Sequence, residues 1–278
     1  MSDEPKRRAL RWVRLLRRAG AWLVAAYLCL SLYACAMADG MIFQPQPPSY
    51  ADSADVIKVD VDDGQRISAL YLPNPDAELT VLYSHGNAED LGDIAPFLLA
   101  LRDHGYSVFA YDYRGYGTSD GKPSEENAYR DAEVAYAYVT GGLRVPPQRL
   151  IVHGRSLGGA LACYLAAERP VGGLVMQSSF VSAFRVVTKY PLLPFDKFPN
   201  LRRIGRVECP VLVMHGTADR IIPEWHGRKL FAAAPEPKLY LPLKGAGHND
   251  PVWRTYPEYW QALDRLAAEV RPRASGGS

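Results

Sequence analysis

The chain has 278 residues, 48% hydrophobic and 22% charged, with 32 Lys plus Arg against 30 Asp plus Glu for a formal net charge of +2. That composition fits a globular protein of one or two domains, argues against extensive intrinsic disorder and gives no electrostatic footprint for a nucleic-acid partner. Cys29, Cys35, Cys163 and Cys209 are too few for a disulfide scaffold and lack a C-x-x-C pair for zinc, so neither a metal-held nor a disulfide-stapled fold is expected.

The charge is unevenly placed. Residues 1–20 carry Lys6, Arg7, Arg8, Arg11, Arg14, Arg17 and Arg18 against Asp3 and Glu4, a net of +5 that leaves −3 for the remainder. This basic stretch runs into Ala19–Ala38, 20 residues without a charge. As a helix such a run measures about 30 Å, the thickness of a hydrocarbon core. A buried core helix would show a polar face, and none is present. Positive charge on the N-terminal side keeps the N-terminus in the cytoplasm and sends the rest across. A second reading stays open, because Leu32-Tyr33-Ala34-Cys35 resembles the lipobox that closes bacterial lipoprotein signal peptides, and Ala21–Ala34 fits a signal h-region. Under both readings residues 1–43 tether the chain to a membrane, and the body lies on the periplasmic or extracytoplasmic side.

Gln44–Ser49 reads Gln-Pro-Gln-Pro-Pro-Ser and cannot continue a helix, so residues 44–55 are expected to form an extended linker. Residues 56–270 then form the main domain, and 271–278 a frayed polar tail. Val56–Val61 alternates apolar and polar side chains, Asp62-Asp63-Gly64 signals a turn, and Ile67–Leu72 follows, which predicts an opening β-hairpin. From Thr80 onward short apolar runs at Val81–Tyr83, Val108–Tyr111, Leu150–Val152, Leu174–Met176, Val211–Met214 and Leu239–Leu241 alternate with helical segments. The helices are expected at Leu91–His104, Ser124–Val139 with Ser124 as N-cap, Leu157–Glu168, Glu224–Ala233 and Tyr256–Val270, the last opened by a capping box over Thr255–Glu258. This alternation predicts an α/β class with a mostly parallel sheet flanked by helices. Residues 178–206 interrupt it, interleaving Phe180, Phe184, Tyr190, Leu192, Leu193, Phe195 and Phe198 with prolines and basic residues, and read as a small apolar cap.

Gly154-Arg155-Ser156-Leu157-Gly158 matches G-x-S-x-G between a strand and an apolar helix. A sharp strand-to-helix turn leaves its central residue projecting and needs glycines where side chains would collide, which makes Ser156 a presented nucleophile. The Leu157 N–H, at the helix start, is placed to hold a developing oxyanion. A serine hydroxyl needs a base, and that base needs a carboxylate to orient it. His248, in the glycine-rich Gly245–Asp250 loop after the last strand, and Asp219, just past strand Val211–Met214, meet the requirement in the chain order Ser156, Asp219, His248. His85, His104, His153, His215 and His226 read as structural, Asp250 as a turn cap, and Asp112 as the next acid should Asp219 fail. In Ser84-His85-Gly86-Asn87, after the first strong parallel strand, the Asn87 N–H is the expected second oxyanion donor.

With these segments in view the chain resembles the α/β-hydrolase superfamily. Within it the chain is similar to the membrane-associated serine hydrolases that include the eukaryotic abhydrolase-domain protein depalmitoylases and their bacterial relatives. The matching segments are SHGNAEDLG (Ser84–Gly92), YDYRGYG (Tyr111–Gly117), GKPSEENAY (Gly121–Tyr129), Gly154–Gly158, FDKFPN (Phe195–Asn200), HGTAD (His215–Asp219) and GAGHND (Gly245–Asp250). The resemblance implies the α/β-hydrolase fold, with Ser156 as nucleophile, Asp219 as acid and His248 as base. It departs at the N-terminus, where those eukaryotic enzymes attach through a cysteine cluster and this chain has one hydrophobic segment. Met41-Ile42-Phe43-Gln44-Pro45 followed by Tyr50 looks more like the bacterial relatives.

The reaction expected is two-step acyl transfer on a small-molecule or acylated ester or thioester substrate, without cofactor or metal. The aromatic residues of 178–206 beside a membrane tether point to an apolar acyl chain. A peptidase or amidase is the alternative on the same fold, and a non-catalytic binding module the alternative outside enzymology.

Overall fold

Among the described residues, 4–61 and 64–275 of a computed structural model, eight strands join in one sheet. They are β1 (Val56–Asp60), β2 (Arg66–Leu72), β3 (Thr80–Ser84), β4 (Ser107–Tyr111), β5 (Leu150–Arg155), β6 (Gly173–Gln177), β7 (Val211–Gly216) and β8 (Lys238–Leu243). Their order is β1-β2-β4-β3-β5-β6-β7-β8, with β1–β2 and β2–β4 antiparallel and every pairing from β4 to β8 parallel. The opening hairpin forms with Val56 opposite Leu70. Of its expected turn, Asp62 and Asp63 lie outside the described residues.

The helices are α1 (Glu4–Ile42), α2 (Leu91–Asp103), α3 (Glu125–Ala137), α4 (Leu157–Glu168), α5 (Phe184–Val187), α6 (Asn200–Arg203), α7 (Trp225–Ala233), α8 (Val252–Thr255) and α9 (Pro257–Ser275). Side chains alternate across a strand, so each central strand feeds two cores. Val81, Tyr83, Ile151, Val175, Leu212 and Met214 share one core with α2 and α9. Leu82, Val152, Leu174, Met176, Val211 and Val213 share the other with α3, α4 and α7. Each such side chain contributes about 1.5–3 kcal/mol when fully buried. Helix α4 is apolar almost throughout because it is enclosed, packed between β5, β6, α3 and α6. Asp90 caps α2 by accepting from the Gly92 and Asp93 N–H groups, and Ser124 caps α3 by accepting from Asn127 N–H at 3.1 Å, each worth about 1 kcal/mol.

Four expectations change in detail. The segment read as a linker is extended but not free: Gln44 N–H donates to Asn87 Oδ1 (3.0 Å), Ser49 N–H to Asp90 Oδ2 (2.7 Å) and Tyr50 OH to Asp112 Oδ2 (2.5 Å). Acceptors at the ends of β3 and β4 capture it. The 178–206 segment is only partly a cap, since Phe180 and Phe198 belong to the core while Val187, Tyr190 and Leu192 are exposed. Thr255 caps nothing ahead of α9; it lies in α8 and its hydroxyl donates to the Pro251 carbonyl (3.4 Å), while Pro257 takes the first position of α9. Helix α9 runs to Ser275, past the expected boundary at Val270, and 276–278 lie outside the described residues.

Helix α1 contains Leu10–Ile42, a stretch long and apolar enough to cross a bilayer by length and composition. Its apolar side chains are exposed from Leu10 to Met41, apart from a narrow stripe in which Ser31 and Ala38 are buried.

Candidate active site

The parallel register gathers the loops that carry the candidate residues. Ser84 of β3 lies opposite Gly154 of β5, Arg155 opposite Gln177 of β6, Gln177 opposite Met214 of β7, and Gly216 opposite Leu243 of β8. The chain therefore leaves these strands at one edge, where open α/β sheets bind their ligands.

At that edge β5 turns into α4 through Ser156, whose φ of 53° and ψ of −116° fall where a residue with a side chain is strained. The turn is closed by contacts that only glycines permit. A Cβ on Gly154 would sit 2.0 Å from the Gly158 carbonyl oxygen, and one on Gly158 would sit 2.0 Å from that of Ser84. Ser156 is fixed on both sides of its α-carbon: its N–H donates to Gln177 O (2.9 Å) and its carbonyl accepts from the Ser179 hydroxyl (2.9 Å).

The three residues singled out in the sequence are brought into series. His248 Nε2 is 3.1 Å from Ser156 Oγ and His248 Nδ1 is 2.7 Å from Asp219 Oδ2. The second oxygen of Asp219 accepts from the N–H groups of Ile221 (2.9 Å) and Ile222 (2.8 Å), which aims the first at the imidazole. Burial pushes the Asp219 carboxyl upward, but the His248 hydrogen bond and charge, with the Ile222 N–H, outweigh it and hold the group below its ordinary value. An ionised carboxylate at Nδ1 selects the tautomer with hydrogen there, leaving Nε2 free to accept a proton from Ser156.

The two candidate oxyanion donors, the N–H groups of Leu157 and Asn87, donate to no acceptor among the described residues. The loop carrying Asn87 is tightly held. Its side-chain amide donates to Ile42 O (2.6 Å), its Oδ1 accepts from Tyr116 OH (2.5 Å) and Ala88 N–H (3.1 Å), and Tyr113 OH donates to His85 O (2.6 Å).

The rival residues are held by other partners, although His215 Nε2 also lies 3.6 Å from Asp219 Oδ2. Asp112 lies 3.3 Å from His85 Nε2 and accepts from Leu91 N–H (3.0 Å) as well as Tyr50 OH, so it is not the partner of His248. His104 contacts Asp264 (2.9 Å), His215 Nε2 lies 2.7 Å from Ile222 O, and His226 Nδ1 accepts from Val181 N–H (3.2 Å). His153 is enclosed by the rings of Tyr83, Phe97 and Tyr259. Asp250 accepts from Gly247 N–H (2.8 Å) and forms the turn expected of it.

One feature was missed by sequence reasoning. Arg155 pairs through Nη1 with Glu89, and its Nη2 donates to the His248 carbonyl (3.0 Å) and to Asn249 Oδ1 (2.8 Å). Glu89 in turn accepts from Gly86 N–H (2.8 Å). The available signal was a cation at the first variable position of G-x-S-x-G together with an acid in the SHGNAED loop. No cluster of three or more His, Cys, Asp or Glu side chains suited to a metal occurs among the described residues. An apolar cavity of about 590 Å³ lies between α1 and the 181–202 segment.

Residues 75–195 match the family described as serine aminopeptidase, S33. A Mycobacterium tuberculosis protein described as uncharacterized is 39% identical over 215 residues, covering 74% of this chain and 76% of that protein. Human alpha/beta hydrolase domain-containing protein 17B is 36% identical over 211 residues, covering 74% of this chain and 72% of that protein. Among solved structures, the Pyrococcus furiosus esterase Pf2001 has a TM-score of 0.67 at 16% identity, over 80% of this chain and 98% of that one. The Paleococcus ferrophilus monoacylglycerol lipase has a TM-score of 0.58 at 23% identity, over 74% and 98%. The structural likeness bears on fold alone, whereas identity above a third across most of the human and mycobacterial relatives reaches the sequence itself. With the eight-stranded order and the strained serine turn already described, it makes this chain a member of the α/β-hydrolase family.

Proposed function

We propose that the protein is a membrane-tethered serine hydrolase that cleaves carboxylic esters or thioesters bearing an acyl or lipid-like group. The observation that carries the reading is the unbroken series from Ser156 Oγ through His248 to Asp219, at 3.1 and 2.7 Å. In this scheme Ser156 attacks the substrate carbonyl while His248 Nε2 takes the hydroxyl proton. Asp219 stabilises the imidazolium that forms, and the N–H groups of Leu157 and Asn87 hold the tetrahedral oxyanion. His248 next protonates the departing alcohol or thiol, then removes a proton from water as it attacks the acyl-enzyme and returns that proton to Ser156. The scheme uses no cofactor. An esterase and a monoacylglycerol lipase among the structural neighbours support ester over amide chemistry by analogy of fold.

Fluorophosphonate labelling of the purified chain tests the nucleophile. The wild type is expected to label and Ser156→Ala is not; equal labelling of both overturns the assignment. The tether is tested by flotation with phospholipid vesicles, and the extracytoplasmic side by protease accessibility of the body in intact cells. The family description of residues 75–195 as serine aminopeptidase favours a second reading, a peptidase or amidase using the same residues. Faster turnover of aminoacyl amides than of matched esters would select it.

A further inference from the structure

The side chain of Asn87 makes bonds that its part in the reaction scheme does not call for. Only its backbone N–H, which donates to no acceptor among the described residues, is needed for the oxyanion. The side-chain amide instead grips the chain as it leaves α1: it donates to the carbonyl of Ile42, the last residue of that helix (2.6 Å), and its Oδ1 accepts from the Gln44 N–H (3.0 Å). We propose that residues 42–44 are a strap that positions the oxyanion donor, with Phe43, Gln44 and the Asn87 side chain as positioning residues for acyl transfer. The inference rests on the hydrolase reading above and adds a requirement to it: turnover depends on the segment that joins the body to its tether.

Hydrogen bonds at both ends of a planar amide fix its orientation as well as its place. The last carbonyls of a helix have no partner within it, so Ile42 O is open to such a donor. The Gln44 N–H is shared with Tyr116 OH (3.2 Å), and that hydroxyl donates to Asn87 Oδ1 (2.5 Å), which closes a ring of three groups around the amide. Immediately after Asn87 the backbone passes through Ala88 at a φ of 60°, a region that a residue with a side chain holds only when its surroundings enforce it. The Ala88 N–H also donates to Asn87 Oδ1 (3.1 Å). Holding this side chain therefore holds the strained turn and, with it, the backbone N–H of the same residue.

The strap is anchored independently of the loop it holds. Phe43 is buried edge-on against the rings of Tyr116 and Phe198, with centroids 6.5 and 6.0 Å away. One turn earlier, Asp39 Oδ1 accepts from the Glu125 N–H (3.3 Å) and lies 3.1 Å from Lys197 Nζ. Further along, the Ser49 N–H donates to Asp90 Oδ2 (2.7 Å) and its hydroxyl to Asp90 Oδ1. Asp90 is the N-cap of α2, three residues beyond Asn87, so the chain that follows α1 holds the oxyanion loop at two points. Both readings of the N-terminus, an uncleaved anchor and a chain processed ahead of Cys35, retain residues 36–50. A chain severed beyond Gln44 would keep Ser156, His248 and Asp219 but lose the bonds to Asn87.

The full chain in detergent micelles is assayed with p-nitrophenyl acetate and with an alkyl trifluoromethyl ketone. Ser156 Oγ adds to the ketone carbonyl, His248 takes the hydroxyl proton, and the carbonyl electron pair becomes the hemiketal oxyanion, so the inhibition constant reports the oxyanion site. A wild type with neither turnover nor inhibition sinks the underlying reading and this proposal with it. Asn87→Ala keeps the backbone N–H and removes the grip; its kcat is expected to fall by about 10-fold to 100-fold with KM little changed. The ketone should bind more weakly by the factor lost in kcat/KM. A lower kcat with an unchanged inhibition constant marks loss of folded enzyme and overturns the proposal. Phe43→Ala, which frees the strap and leaves Asn87 intact, should act in the same direction, Phe43→Leu should restore most of the loss, and the Phe43→Ala, Asn87→Ala double variant should fall no further than the slower single one. Gln44→Pro, which removes one donor at an exposed position, replaces Phe43→Ala should that variant not fold. Wild-type kcat in the strap variant, or losses that multiply in the double variant, overturns the strap as the element that positions Asn87.

Discussion

The Arg155 guanidinium is paired with Glu89 while it donates to the carbonyl of His248, so one ion pair joins the loops after β3, β5 and β8. Through Gly86 N–H, Glu89 also holds the turn that presents Asn87. Both side chains are largely buried, which lessens the solvent screening that makes surface pairs weak. Arg155→Gln is expected to lower kcat by about 10-fold to 100-fold, the scale of small misplacements at a reacting centre, with little change in KM. Glu89→Gln should act similarly, and the double variant should lose less than the two separate losses combined. Steady-state kinetics on a soluble ester check this, and fully additive losses in free energy would show that the pair does not act as a unit.

The Asp219 carboxylate is secured by two backbone N–H groups before it meets His248. Asp219→Asn keeps the shape but presents an amide that can donate to Nδ1 and select the wrong tautomer. Its kcat is expected to fall by on the order of 10⁴-fold while fluorophosphonate labelling slows in proportion. Asp112→Asn should leave the labelling rate far closer to wild type, because Asp112 serves His85, Leu91 and Tyr50.

The glycines that bracket Ser156 are expected to be intolerant for different neighbours. Gly158→Ala drives a methyl into the Ser84 carbonyl, and Gly154→Ala into the Gly158 carbonyl. Both contacts are with backbone, which cannot rotate away, so each substitution should cost at least about 1–3 kcal/mol of stability. Gly245→Ala meets no atom within 4 Å, although its φ of +80° adds strain. Chemical denaturation should therefore rank Gly245→Ala as the mildest of the three.

Much of this was legible in the sequence because the signals were local. The short continuous apolar runs placed β3 to β8, and the Ser124 cap opened α3 where expected. Ser156, Asp219 and His248 could be named from loop position and chain order, since a parallel sheet delivers every strand's C-terminal end to one edge. What escaped was tertiary. Nothing in Gln44–Tyr50 announces that Asn87, Asp90 and Asp112 will capture it, and proline content alone reads as a free spacer. Thr255–Glu258 has the letters of a capping box, but α8 claims Thr255 first. The Arg155–Glu89 pair joins positions 66 residues apart, a separation that periodicity cannot report.

Stability should fall on acidification before the carboxylates titrate. Burial among aromatic rings lowers the His153 pKa to about 3, and burial, together with the His215 and Arg185 charges, lowers that of His226 to about 4. Both stay neutral in the fold at pH 5, whereas in the unfolded chain they protonate below about 6.5. The unfolded state thus binds more protons between these limits, so stability present above pH 6.5 is lost as pH falls toward the folded values, by at most about 1.4 kcal/mol per unit for each group. His85 works in the opposite sense at higher pH: its folded pKa is raised by Asp112 despite the opposing effect of burial, so its contribution is present below pH 6.5 and lost above. Asp219, held below its ordinary value, loses its contribution only under more acidic conditions. Between pH 6 and 4.5 the buried neutral histidines should therefore set the slope. Thermal unfolding in this window is expected to show a falling Tm that His153→Phe flattens, since phenylalanine suits the Tyr83, Phe97 and Tyr259 surroundings and binds no proton. A variant as acid-sensitive as the wild type would show that His153 is not one of the groups responsible.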